Sequence, residues 1–248
     1  MWYVAFITVN VEIGEFSFQI NVDQTVEVIG NINSKGVDII SKILKHNIDP
    51  IFSDEVIKAA SIFNEVNEED YTGRKDLREQ MIITIDGDDS KDFDDAVIVK
   101  KLDNGNYHLG VSIADVSHYV TKGSILDNEA YKRGTSVYLP GMVVPMLPEN
   151  LSNNICSLKP GVDRLTISCD MEINKSGKIV KYEIYPSVIK SYKRMTYSKI
   201  NKIFEGDIDL NNEYIDLIEM FYDMRNLAKI LKKKREQDWQ GPLCFLLS

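Results

Sequence analysis

Six aspartates stand between positions 86 and 95, in the stretch TIDGDDSKDFDD, with Lys91 among them. Carboxylates this close repel one another, so a folded chain needs a reason to keep them. A solvated acidic turn is the simplest reading, but the flanks argue against it. Asp86 follows the β-branched run Ile82-Ile83-Thr84-Ile85, and Asp94-Asp95 precede Ala96-Val97-Ile98-Val99. The acids therefore sit where two strands with core character meet a loop, a place where a rigid scaffold can hold functional groups. A calcium loop of the EF-hand type fails on spacing: counted from Asp86, position 6 is Lys91 and position 12 is Val97, where glycine and glutamate are required. Hard oxygen ligands from several carboxylates suit Mg²⁺ or Mn²⁺. A pair of such ions about 4 Å apart activates water and steadies the leaving oxygen in phosphodiester hydrolysis.

The elements that must position this loop are legible as periods. MIITI enters it and AVIVKK leaves it; Asn104-Gly105 is a hairpin signal, with YHLGVSIADV as the return strand. RLTISCDMEIN and KIVKYEIYPSVIK form a second hairpin about Lys175-Ser176-Gly177. Helical periods are expected over 37–46, over 54–66 behind a Ser53 cap, over 125–133 closed by Gly134, and over 196–205 and 212–236. In the last of these, Ile215, Ile218, Phe221, Met224, Leu227 and Leu231 form the buried stripe. In the second, Val56, Ile57, Ala60 and Phe63 face inward. Phe93 is expected to turn inward and fix the aspartate loop. Residues 64–80 are highly charged and read as an exposed connector, and SVYLPG and VVPMLPENLS as strand-edge and loop segments. Residues 2–29 alternate apolar and polar as two or three antiparallel strands.

The chain has 248 residues, 44% hydrophobic and 27% charged, which is globular composition. No apolar run reaches the roughly 18 residues a membrane helix needs. Three scattered cysteines, Cys156, Cys169 and Cys244, fit no zinc spacing and point to a reducing compartment, by default the cytoplasm. The net charge of −9 is unevenly spread: residues 1–95 carry 20 acids against 8 bases, residues 96–248 carry 18 against 21. A local acidic cluster is compatible with a polyanionic partner when cations bridge the two. Lys190, Tyr192, Lys193, Arg194, Tyr197 and Lys199 interleave bases with aromatics, a pattern that suits either an RNA path or a solvated face. His118 reads as a packed structural histidine and Asp115 as a structural hydrogen-bonding residue.

TIDGDDSKDFDDAV resembles the signature of the RNB-domain exoribonucleases, the ribonuclease II and ribonuclease R family, and the similarity continues through GVSIADVSHYV, LDNEAYKRGTSVYLPGMVVPMLPENLSNNICSL, VDRLTISCDMEI and MTYSKINKI. The ribonuclease R branch is the nearer of the two. The resemblance spans about residues 26–237. It implies an α+β fold: the first part of an RNB catalytic domain of mixed antiparallel sheets with helices over 81–237, a helical and charged connector over 34–80, and over 1–33 the remnant of an OB-type barrel. It implies Mg²⁺-dependent hydrolysis of single-stranded RNA from the 3′ end, releasing nucleoside 5′-monophosphates. The family's four metal-binding, catalytic aspartates fall on Asp86, Asp92, Asp94 and Asp95, with Asp88 and Asp89 as bystanders, and its substrate-stacking tyrosine falls on Tyr138. Mn²⁺ is an alternative cofactor. The implied partner is single-stranded RNA, not DNA and not a membrane, and the implied state is a cytoplasmic monomer.

Two departures accompany the resemblance. Residues 1–33 are too short for a whole barrel, and 238–248, ending DWQGPLCFLLS, depart from the family pattern as an aberrant tail. The expectation is a chain truncated at both ends. The family's catalytic arginine and second aromatic clamp belong to sequence beyond this chain, and Arg164 lies in the wrong segment to replace the arginine. Such a chain could bind RNA or metal without turning over.

Overall fold

Apolar residues alternating over 95–114 bury one side of each strand, while the backbone groups pair with neighbouring strands, and the outcome is a sheet. The structure, a computed structural model, describes residues 36–243. The expected barrel strands within 1–33 lie outside the described residues. Contacts divide the chain into two units, one containing 36–60 and 123–148, the other 61–122 and 149–243.

The second unit is built on a seven-stranded sheet: β1 (Lys75–Asp76), β2 (Ile83–Asp86), β3 (Asp95–Lys101), β4 (Tyr107–Ala114), β7 (Asp163–Ile173), β8 (Ile179–Lys190) and β9 (Lys193–Thr196), in the order β1-β8-β7-β4-β3-β2-β9. Strands β5 (Val137–Leu139) and β6 (Met142–Val144) belong to the first unit. The edge pairings β1–β8 and β2–β9 are parallel and the rest antiparallel, so the α+β expectation holds. Helices α5 (Tyr197–Glu205), α6 (Ile208–Glu213) and α7 (Ile218–Leu243) pack on one face. Ile83, Met195, Ile203, Leu217 and Phe221 form one buried cluster there, and Val99, Tyr107, Ile173 and Leu227 another. The last helix therefore buries its stripe against this unit's own sheet. Its expected span is interrupted at residues 214–217, because Asp207 caps α6 separately and that helix ends at Glu213. The interruption shifts the helical phase: Ile215 is 70% exposed, while Tyr214 and Leu217 take its place in the core.

The charged connector is not simply exposed. Leu77 is buried, and its N–H donates to the Val188 carbonyl beside the β1–β8 pairing. Arg74 reaches Asp115 at 2.6 Å. Gly110, in mid-β4, shows how tightly the sheet's far face is filled. A Cβ there would stand 2.7 Å from the Ile98 side chain and 3.2 Å from Asp170 Oδ1, which His108 holds at 2.9 Å. Gly110→Ala is expected to destabilise the fold by about 1–2 kcal/mol, overpacking outweighing the entropic gain of losing a glycine. Denaturant titration at unchanged slope checks this.

In the first unit, α1 (Val37–Lys45) matches its expected span, and α4 (Ile125–Arg133) spans the expected residues and stops at Gly134, as the sequence predicts; Ser124 caps its start by accepting the Asp127 N–H. Helix α2 (Asp54–Ala60) is shorter than expected and leaves Ile57 half exposed. Asn64 donates instead to the Ser61 carbonyl, a local bond that competes with continued helix. Arg133 ties α4 to residues 49–52, donating to the Asp49 and Ile51 carbonyls and stacking on Phe52. The VYLPGMVV stretch closes as a β5–β6 hairpin, and Tyr138 sits on β5 with 68% exposure.

Candidate carboxylate site

Asp86 is the last residue of β2 and Asp95 the first of β3, so the strand ends present two carboxylates and the loop 87–94 the rest. Parallel pairing with β9 sets Asp86 beside Thr196, whose hydroxyl caps α5 by accepting the Lys199 N–H. The loop is clamped from several directions. Phe93 is buried, and its N–H donates to Ser157 Oγ at 3.1 Å. Ser157 Oγ in turn donates to the Lys91 carbonyl at 2.9 Å. Leu158 N–H donates to the Phe93 carbonyl and Ala114 N–H to that of Asp94. Arg164 is buried and structural: its guanidinium donates to the carbonyls of Ser157 and Asn154, bracing the segment that holds Phe93. The inward turn of Phe93 is as expected.

Electrostatics distinguish the loop from an ordinary acidic turn. Burial pushes the Asp86 carboxyl above the usual range; Asp95, and less strongly Asp92 and Asp94, push the same way, against an opposing pull from Arg194. Asp94, exposed as a whole residue, is also raised, first by the protein mass around its carboxyl and then by Asp92 and Asp95. Asp88 behaves differently. Ser198 donates to it at 2.6 Å and, with Thr196, holds its pKa down. The sequence had set this residue apart as a bystander.

The donor set is entirely hard carboxylate oxygen, which suits Mg²⁺ or Mn²⁺. Asp86 Oδ2 is buried with no hydrogen-bond partner, a deficit that a cation would satisfy. These features fit a divalent ion held by Asp86, Asp92, Asp94 and Asp95. Among the described residues, no three His, Cys, Asp or Glu side chains already converge as a metal cage. Tyr138 belongs to the other unit.

The interleaved basic-aromatic segment is largely engaged internally. Lys190 pairs with Asp163, Tyr192 donates to Asp216, and Lys199 donates to Tyr214, while Tyr197 is 62% exposed. Arg194 donates to the Gly87 and Asp88 carbonyls, a role with no local signal because its partners are more than 100 positions away in sequence. His118 packs edge-on against Tyr119 and bonds Asp70, as a structural histidine does. Cys156 is buried and its thiol is pushed up to about 12, far from a nucleophile's range.

A mixed sheet carrying a clamped carboxylate loop at a strand junction defines an α+β domain of one recognisable kind. Residues 74–244 match the RNB domain, and the chain belongs to that family. It is 52% identical over 217 residues to ribonuclease R of Thermotoga maritima, a match covering 86% of this chain and 30% of that protein. Among solved structures it resembles Mycoplasma genitalium RNase R in complex with double-stranded RNA, with a TM-score of 0.77 and 34% identity over 85% of this chain and 37% of that one. The same enzyme in complex with ribose-methylated single-stranded RNA matches with a TM-score of 0.78 and 33% identity, covering 85% of this chain and 33% of that one. The chain thus spans about a third or less of the length of these relatives.

Proposed function

We propose that the chain is part of a 3′-to-5′ hydrolytic exoribonuclease that releases nucleoside 5′-monophosphates from single-stranded RNA with Mg²⁺, or Mn²⁺ in its place. Membership of the RNB family and the RNA complexes of its solved relatives support the substrate class. The observation that carries the site is the group of aspartates at the β2–β3 junction, with Asp86 and Asp94 raised by burial and by their neighbours. Asp86, Asp92, Asp94 and Asp95 hold the cation; when bound, it supplies charge neutralisation at the scissile phosphate and polarises water. Arg194 and Ser157 hold the loop that carries these carboxylates. Tyr138 stacks on a nucleobase, an interaction worth about 1–3 kcal/mol per base, and the exposure of its ring supports this role.

The same reading makes the protein a cytoplasmic monomer acting on RNA rather than DNA. Among the described residues no helix is long and apolar enough to cross a membrane. A second reading is RNA or metal binding without turnover: the buried, unpaired Asp86 Oδ2 calls for a cation but not for a reaction.

The test is incubation with 3′-tailed single-stranded RNA and Mg²⁺, in parallel with Asp94→Asn and with Mn²⁺ calorimetry. The expected result is mononucleotide release by the unmodified chain and none by the variant. Mn²⁺ binding without release selects the second reading, and equal release by both chains sinks the site assignment.

A further inference from the structure

We infer that Arg194 is a positioning residue of the aspartate loop: its guanidinium straps the backbone between Gly87 and Ser90 and so sets where the carboxylates stand. The inference rests on the metal-site reading above and extends it to a side chain that grips the loop through its backbone. Arg194 Nη2 donates to the Asp88 carbonyl at 2.8 Å and the Gly87 carbonyl at 3.0 Å, with the Ser90 carbonyl at 3.5 Å. Its guanidinium carbon lies 5.1 Å from the Phe93 ring centroid, so one planar group contacts the loop at both ends. The β2–β9 ladder explains how this side chain reaches the loop. Arg194 pairs with Thr84, and two residues on, Thr196 pairs with Asp86, so all four share one face of the ladder.

A second observation falls on the same two rungs. Thr84 Oγ1, Asp86 Oδ2 and Arg194 Nε are all buried without a hydrogen-bond partner. The unsatisfied buried polar atoms thus cluster on the rungs that bring Arg194 to the base of the loop. The charge argues in the same direction. A cation beside a metal site opposes metal binding by simple Coulomb repulsion. A guanidinium there is useful for its geometry: one rigid planar group sets Nη2 on the two carbonyls while its centre lies beside the Phe93 ring, whereas a lysine ammonium is a point charge on a flexible stem.

The experiment compares Mn²⁺ calorimetry and amide hydrogen exchange for the unmodified chain, Arg194→Lys, Arg194→Met and Asp94→Asn. Groups that orient metal ligands are typically worth 10–100-fold in metal affinity, so both Arg194 variants are expected to bind Mn²⁺ about tenfold or more weakly. In the metal-free protein, exchange at the Ser90 and Phe93 amides is expected to accelerate in both variants while the amides of β4 and β7 are unchanged. If Arg194 acts by charge alone, Arg194→Lys binds like the unmodified chain and Arg194→Met binds more tightly; either result overturns the proposal. Faster exchange throughout the sheet marks a general structural role and overturns it too. Failure of the underlying reading looks different: Asp94→Asn then binds Mn²⁺ as well as the unmodified chain. If no chain binds Mn²⁺, the exchange data still decide, and loop amides in Arg194→Lys that exchange at the unmodified rate overturn the strap.

Discussion

Asp94→Asn is expected to weaken Mn²⁺ binding by more than about a hundredfold and yet raise the melting temperature of the metal-free protein by about 1–3 °C. Burial and the charges of Asp92 and Asp95 raise the Asp94 carboxyl in the fold above its unfolded value of 3.8. A carboxyl raised in this way favours the fold when protonated, below that value, and the advantage is lost as pH rises through the folded pKa. At neutral pH the ionised Asp94 is therefore a burden that asparagine removes. The gap between variant and unmodified chain should shrink towards about pH 4 and widen towards neutrality. Saturating Mn²⁺ reverses the order. A ligand at a hundred times its dissociation constant stabilises by about 2.7 kcal/mol, and only the unmodified chain receives this. Thermal melts at two pH values, with and without Mn²⁺, read all of it. A variant less stable than the unmodified chain without metal, yet shifted equally by it, would refute the carboxylate-crowding account.

Arg74→Ala is expected to cost the fold about 3–5 kcal/mol, because it leaves a buried carboxylate without its counter-charge. Arg74 and Asp115 pair at 2.6 Å with side chains only 10% and 6% exposed. Arg74 also donates to the carbonyls of Asp70 and Thr166. Burial alone would raise the Asp115 carboxyl, but Ser117 and Arg74 bond it and hold it below the usual range. A lowered carboxyl contributes stability above its unfolded pKa and loses it on acidification. With Arg74 gone, the defect should be largest near neutrality and smaller in acid, where Asp115 can accept a proton. Adding Asp115→Asn to Arg74→Met should restore part of the loss, since no unpaired charge remains. Chemical denaturation of the single and double variants measures both effects; additive losses would falsify the pairing argument.

Both predictions mark the boundary between what the chain spells out locally and what folding decides. The strand periods, the Asn104-Gly105 turn, the 125–133 helix and the aspartates set between two apolar runs are all legible in the sequence. Each depends on neighbours within a few positions, where periodicity and turn chemistry act. The family resemblance sets Asp88 apart from the other acids, and in the fold Ser198 donates to it. The charged stretch 64–80 read as solvated because it is polar throughout. Only packing delivers Arg74 to Asp115, 41 positions on. The phase of the final helix depended on a cap at Asp207 and an interruption before Ile218 that a continuous apolar stripe concealed. Arg194 stood in the sequence as one base among several, and its grip on a loop 106 positions away exists because β9 lies parallel to β2. The sequence by itself determined where the acids gather between apolar runs and where most strands and helices fall. The tertiary structure decided which charges are paired and what holds the loop, because a charge's partner is set by long-range packing and leaves no periodic trace.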